Sequence, residues 1–224
     1  MKKIHGQMSE ATLVMVFLTL SGGFQDAYSY FVRGKVFANA QTGNIVLLGN
    51  NLFSGNFRTA LNHLIPLLFF ALGVLISEQI RGHFKNITLL HWRQITVAIE
   101  LVMLLAIGFI PMGDLDPLAN ALTSCACAMQ IEAFKNVNGL AYASTMCIGN
   151  LKSCMSALSS YLRTKEERFA RVARQYFIVI LIFFCGSSFG SIMARIYAQH
   201  SIWFSCGLLA IGIILMFIKE EEEK

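Results

Sequence analysis

Charge is scarce in this chain: 14% of its 224 residues are Asp, Glu, Lys or Arg, whereas 55% are hydrophobic. Soluble domains carry about 25% charged residues, so a wet globular surface is excluded. A mean hydropathy of +0.58 places the chain in the membrane class instead. Catalytic spacings are missing as well. There is no Gly-rich phosphate loop, no H-E-x-x-H and no G-x-S-x-G, so neither a phosphate cradle nor a nucleophile beside a base is on offer, and the chain reads as a non-enzyme. His63, His83, His91 and His200 lack metal-ligand spacing, and Cys125-Ala126-Cys127 has no neighbouring His or second Cys pair. No metal and no cofactor is expected. The six cysteines fall mostly inside apolar runs, where cysteine is a small hydrophobe, so they do not form a disulfide framework.

What is present is apolar length. Six stretches, approximately 11–32, 59–80, 94–112, 118–137, 172–194 and 201–218, approach the roughly 20 helical residues that cross a hydrocarbon core. The basic start Met1-Lys2-Lys3 precedes an apolar run too long for a secretory signal and without a small-residue cleavage site, so it reads as a retained helix. The net charge of +5 does not indicate nucleic acid, because the basic residues sit beside helix ends and report orientation. The expected fold is an all-α polytopic membrane bundle, one transmembrane domain over 1–224 whose surroundings are the lipid bilayer. Trp92 and Trp203 lie near helix ends, as interfacial anchors do.

Two segments are too polar for a lipid-facing helix. Residues 36–53 carry Asn39, Gln41, Thr42, Asn44, Asn50 and Asn51, and residues 141–162 carry Ser144, Thr145, Asn150, Lys152 and four further serines. Such backbone is tolerated at membrane depth where protein encloses it or where it lines a wet cavity, so the segments either re-enter or span inside the bundle. Counting Lys and Arg favours re-entry. Six crossings with the N-terminus inside leave fourteen basic residues on the cytoplasmic side and only Arg33, Lys35, Arg58 and Arg195 outside; eight crossings divide them ten to seven, and seven crossings again give fourteen to four.

The sequence repeats itself at an interval of 106 residues. Asp26-Ala27-Tyr28 followed by Thr42-Gly43-Asn44 is answered by Glu132-Ala133-Phe134 followed by Ile148-Gly149-Asn150. Phe70-x-x-Gly73-x-x-x-Ser77 is answered by Phe183-x-x-Gly186-x-x-x-Gly190. Three crossings per half would make 11–112 and 114–218 an inverted-topology repeat around a central site. Asp26 and Glu132 are then candidates for a pathway, since intramembrane acids are functional by default; the plainer alternative pairs them with Arg33 and Lys135. Thr42, Gly43, Asn44, Gly149 and Asn150 read either as broken-helix residues facing a solute or as a contact in which Gly permits close approach and Asn bonds across it. Gln25 and Gln130 belong to the same polar layer, offset by one position in this alignment. Glu78 reads as a partner of Arg81, and Glu100 as a weaker candidate facing the interior.

The runs Gly23-Phe24-Gln25-Asp26-Ala27-Tyr28-Ser29-Tyr30, Val36-Phe37-Ala38-Asn39-Ala40-Gln41-Thr42-Gly43-Asn44-Ile45-Val46 and Ala128-Met129-Gln130 resemble the YoaK family of bacterial inner-membrane proteins, which carry a domain of unknown function. The resemblance covers about residues 11–218, and the second half departs from it, with Ile148 where the family shows threonine. It implies a multi-pass protein of the bacterial inner (plasma) membrane and names no substrate. Two functions follow as expectations: a secondary transporter or facilitator for a small polar solute, or a non-transporting interaction or scaffold protein, with an intramembrane enzyme third. A homo-oligomer is compatible with either.

Overall fold

In the computed structural model, residues 12–84, 91–137, 140–141 and 147–217 are described. A backbone without water must bond to itself, and the described chain is accordingly helical: α1 (Thr12–Val32), α2 (Gln41–Phe53), α3 (Phe57–Phe84), α4 (Trp92–Ile107), α5 (Asp116–Ala133), α6 (Cys147–Thr164), α7 (Glu167–Tyr197) and α8 (Ile202–Phe217), the last two joined by a 3-10 turn at Ala198–Ser201. Two-residue strands β1 (Asn136–Val137) and β2 (Leu140–Ala141) pair antiparallel after α5, a small exception to the all-α expectation. Among the described residues, two continuous helical stretches, Phe57–Phe84 and Glu167–Phe217, are long and apolar enough to cross a membrane.

The two polar segments are the helices α2 and α6. Within 36–53 the chain is irregular up to Ala40 and helical from Gln41; the second helix begins at Cys147, and residues 142–146 lie outside the described residues. After α1 the chain turns through Gly34 (φ 79°) and Lys35 (φ 60°), left-handed geometry that glycine adopts without penalty. It then runs back along α1. Ala38 N–H donates to Ser29 Oγ (3.1 Å), Asn39 N–H to Asp26 Oδ1 (3.0 Å), and Asn39 Nδ2 to Gly22 O (3.4 Å). Asp26 lies six residues before the end of α1, roughly 9 Å of helical rise, so α2 starts well below that end.

The long helices pack across the halves rather than within them. α1 lies on α7 and α8, α5 lies on α3 and α4, α4 meets α8, and α2 and α6 each lie on the helix that follows them. Glycine sets the closest approaches. A Cβ on Gly186 would stand 2.2 Å from Leu20 O and one on Gly73 2.3 Å from Cys125 O; likewise Gly190 abuts Phe24 O, while Ser77 Oγ bonds Met129 O. These contacts pair Leu20 with Cys125 and Phe24 with Met129, an interval of 105 residues and not 106. The one-residue difference decides which side chains are equivalent: Gln25 matches Gln130, and Asp26 does not match Glu132.

α1 and α5 run antiparallel. At one end Asn120 Nδ2 donates to Arg33 O (2.7 Å); in the middle Cys127 Sγ donates to Gln25 Oε1 (2.8 Å); at the other end Gln130 Nε2 donates to Leu18 O (3.1 Å).

Candidate functional site

Arg33 anchors one end of the bundle. It is fully buried, and its five N–H groups are all used: Nε on Tyr28 OH (2.8 Å), one terminal nitrogen on Pro111 O (3.1 Å) and Asp116 Oδ1 (3.0 Å), the other on Ile107 O (3.2 Å) and Ile110 O (2.7 Å). Ile107 ends α4 and Ile110 and Pro111 follow it, and carbonyls at a helix C-terminus lack the i+4 donors of the helix interior. Arg33 therefore ties α4 to α5 and is not the partner of Asp26. Beside it opens a polar cavity of about 160 Å³, lined by Arg33, Val36, Arg58, Asn62, Asp114, Asp116 and Asn120 among others. Arg58 and Asp114 approach to 3.6 Å across its exposed rim.

Deeper along α1 the sequence-derived residues separate into two groups. Gln25 is fully buried at the centre, where Nε2 donates to Ser21 Oγ (2.9 Å) and to Glu100 Oε1 (3.0 Å), and Ser21 Oγ meets Ser205 Oγ of α8 at 2.8 Å. Asp26, on the neighbouring face, accepts the Asn39 N–H just ahead of α2 and lies within electrostatic range of Cys127 and of Cys147, the first residue of α6. α2 thus begins close to the Asp26 carboxylate. Three buried oxygens here and at the cavity have no hydrogen-bond partner: Asn39 Oδ1, Glu100 Oε2 and Asn120 Oδ1. Glu100 is part of this centre; Asn39 and Asn120, ordinary polar residues in sequence, gain significance only from their surroundings.

Glu132 does not join them. Partly exposed, it forms an ion pair with Lys135, which also reaches Glu78 (3.3 Å), while Arg81 holds Glu78 at 3.1 Å. One residue along a helix is about 100° of rotation, and that step carries the second acid from the core to the edge. Glu132 thus takes the plainer of its two readings, the pair with Lys135, and stands apart from the buried layer.

The Gly-Asn pairs divide as well. Asn44 is buried and its amide is consumed: Nδ2 donates to Phe37 O (2.8 Å) and Gln41 Oε1 (3.0 Å), and Oδ1 meets His63 Nδ1 of α3 at 3.3 Å. Gln41 in turn donates to Ala38 O and Ser124 Oγ, both at 2.7 Å, and Ser124 contacts Pro66 O of α3 at 2.9 Å. This locks α2 to α3 and α5, with His63 and Ser124 as participants that no sequence spacing announces. Asn150 is buried too. Gly43 and Gly149, by contrast, would meet nothing within 4 Å if given a Cβ, and Thr42 and Gly149 are exposed. Close approach is therefore not what these glycines provide.

Among the described residues, no three His, Cys, Asp or Glu side chains converge as metal ligands. Compared with known proteins, the chain matches over residues 14–215 the family described as "Protein of unknown function (DUF1275)". It is 26% identical over 209 residues to the UPF0700 transmembrane protein YoaK of Bacillus subtilis (strain 168), covering 89% of this chain and 88% of that one. No solved structure matches it.

Proposed function

The chain belongs to the DUF1275 family, and from that premise we propose that it is a small-solute secondary transporter or facilitator, of multi-pass topology in the bacterial inner membrane. Its solute path runs between two oppositely oriented halves, from the cavity at Arg33 along residues 34–39 to Asp26. One observation carries the reading: Asp26 is met by the irregular backbone that begins a polar helix, with the oxygen of the adjoining Asn39 side chain left unpartnered. Irregular backbone at membrane depth is characteristic of transporter binding sites. The antiparallel course of α1 and α5, the cross-packing of α1 on α7 and of α5 on α3, and the fourteen-to-four division of basic residues support six crossings with α2 and α6 re-entrant.

The scaffold alternative draws on the closed network around Asn44, which has the character of a structural joint. Purified protein in proteoliposomes, offered labelled small polar solutes under an imposed pH gradient, separates the two. Transport predicts flux above empty vesicles that falls when Asp26→Asn is introduced. Flux no greater than in empty vesicles, unchanged by that variant, supports the scaffold.

A further inference from the structure

Seven of the twelve residues 163–174, around the turn from α6 to α7, are charged, and all seven are exposed: Arg163, Lys165, Arg168, Arg171 and Arg174 against Glu166 and Glu167. Arg168 pairs with Glu166 at 2.7 Å, whereas Arg163, Lys165, Arg171 and Arg174 form no ion pair among the described residues. The corresponding hairpin of the first half, α2 with α3, has Arg58 as its single Lys or Arg across 41–80, so the repeat does not require this charge. Helix length sets its depth. α7 has 31 residues, about 46 Å of rise against a hydrocarbon core of roughly 30 Å. The excess falls at the charged end, because the apolar run of α7 begins after Gln175, and Arg174 therefore lies at the edge of the hydrocarbon. Arg171, Arg174, Ile178 and Leu181 follow one another at spacings of three, four and three residues, which is one face of a helix. Ile178 and Leu181 are exposed, so two guanidinium groups continue an apolar, lipid-facing track outward. Cys154 Sγ donates to Ala173 O (3.3 Å) and sets α6 at the same level, where its exposed Leu151, Met155, Leu158 and Leu162 form a second apolar face.

We propose that the α6–α7 hairpin is a docking surface for anionic phospholipid, whose acyl chains lie on Ile178 and Leu181 and whose headgroup phosphate is held by Arg171 and Arg174. The inference takes from the transport reading only its topology, with the α6–α7 turn on the cytoplasmic side. Guanidinium is weakly hydrated and its planar fork meets a phosphate through two parallel N–H donors. Clusters of about four to eight basic residues beside the cytoplasmic end of a span attract anionic headgroups, and each residue adds to the attraction. Basic residues at that end also report orientation, but orientation does not require them to share the face that meets lipid, as Arg171 and Arg174 do. A free phosphate would gain nothing from Ile178 and Leu181, which is what makes a lipid the ligand.

The test is native mass spectrometry of the full-length protein released from detergent micelles containing dioleoyl-phosphatidylglycerol or dioleoyl-phosphatidylcholine, which share acyl chains and differ in headgroup charge. Phosphatidylglycerol should be retained in a saturable way, about tenfold or more tightly than phosphatidylcholine. Arg171→Gln combined with Arg174→Gln should weaken that retention by about tenfold or more. Arg163→Gln combined with Lys165→Gln removes the same charge at the turn, off the track, and should change it by less than about threefold. Melting temperatures without added lipid show whether the variants are folded. If the first pair is not, the salt dependence of the wild type decides, because a headgroup held by charge is released as ionic strength rises. Equal retention of the two lipids, equal loss from both double variants, retention insensitive to salt, or displacement of the lipid by inorganic phosphate at matched ionic strength would overturn the proposal. So would binding of a short RNA in preference to phosphatidylglycerol, or lipid binding that emerges only once Glu220, Glu221, Glu222 and Glu223 are replaced by Gln, since each assigns the surface to another occupant. Labelling of Lys165→Cys from outside, read against the parent chain and with the lipid preference intact, removes the topology of the transport reading and sustains the lipid surface; cytoplasmic labelling without the preference does the reverse.

Discussion

The two halves place a glutamine at the same point and an acid at different ones. Gln25 and Gln130 are both buried and both bond across the α1–α5 pair. Asp26 follows its glutamine directly and faces the start of α2, whereas Glu132 stands two positions beyond its own and is held at the edge by Lys135. A duplicated motif therefore preserves packing more faithfully than chemistry: the closely packed glycines fix the register of the helices, and a displacement of one position is enough to move a carboxylate from the core to the rim. On this account the first half carries the binding chemistry and the second supplies its wall.

The largest expected effect lies at Arg33, which has no counterpart in the second half. Arg33→Met strands four carbonyl and hydroxyl acceptors and the Asp116 carboxylate, so thermal unfolding in detergent should show a loss of about 3 kcal/mol, the scale of breaking a buried ion pair. Lys135→Ala, at the exposed pair of the other end, should cost under about 1 kcal/mol. A similar cost for both would contradict the anchoring role.

Next come the glycines, where the halves should behave alike. Gly73→Ala and Gly186→Ala each push a Cβ to within 2.3 Å of a carbonyl on the facing helix, and both should lose about 1–3 kcal/mol to overpacking. Gly43→Ala and Gly149→Ala meet nothing and should be neutral or gain up to about 1 kcal/mol from helix propensity. Unequal losses at Gly73 and Gly186 would break the register that equates Gln25 with Gln130.

Much of the architecture is legible in the sequence because hydrophobic length and polar interruption are local properties. The six apolar stretches correspond to α1, α3, α4, α5, α7 and α8, and the two polar segments to α2 and α6. The Phe-x-x-Gly motifs of α3 and α7 do mark the close contacts. The site is less legible. Glu100 emerges only as a minor candidate because its significance comes from Gln25, 75 residues away, and Asn39 and Asn120 matter for the partners they lack. The 106-residue alignment matched acid to acid by chemical likeness, but helices are registered by van der Waals contact, which the glutamines and glycines track. His63 and Ser124 join the junction through tertiary bonds across α2, α3 and α5, a relation with no spacing in the chain.

The contrast between the two acids is tested most directly by uptake into proteoliposomes carrying wild-type protein, Asp26→Asn or Glu132→Gln at equal density, with a labelled small polar solute that the wild type takes up. Uptake should fall at least tenfold with Asp26→Asn and remain within about twofold of wild type with Glu132→Gln, as removing a charged hydrogen bond at the site and a rim ion pair away from it would do. Equal loss from both substitutions, or loss from Glu132→Gln alone, would contradict a site carried by the first half.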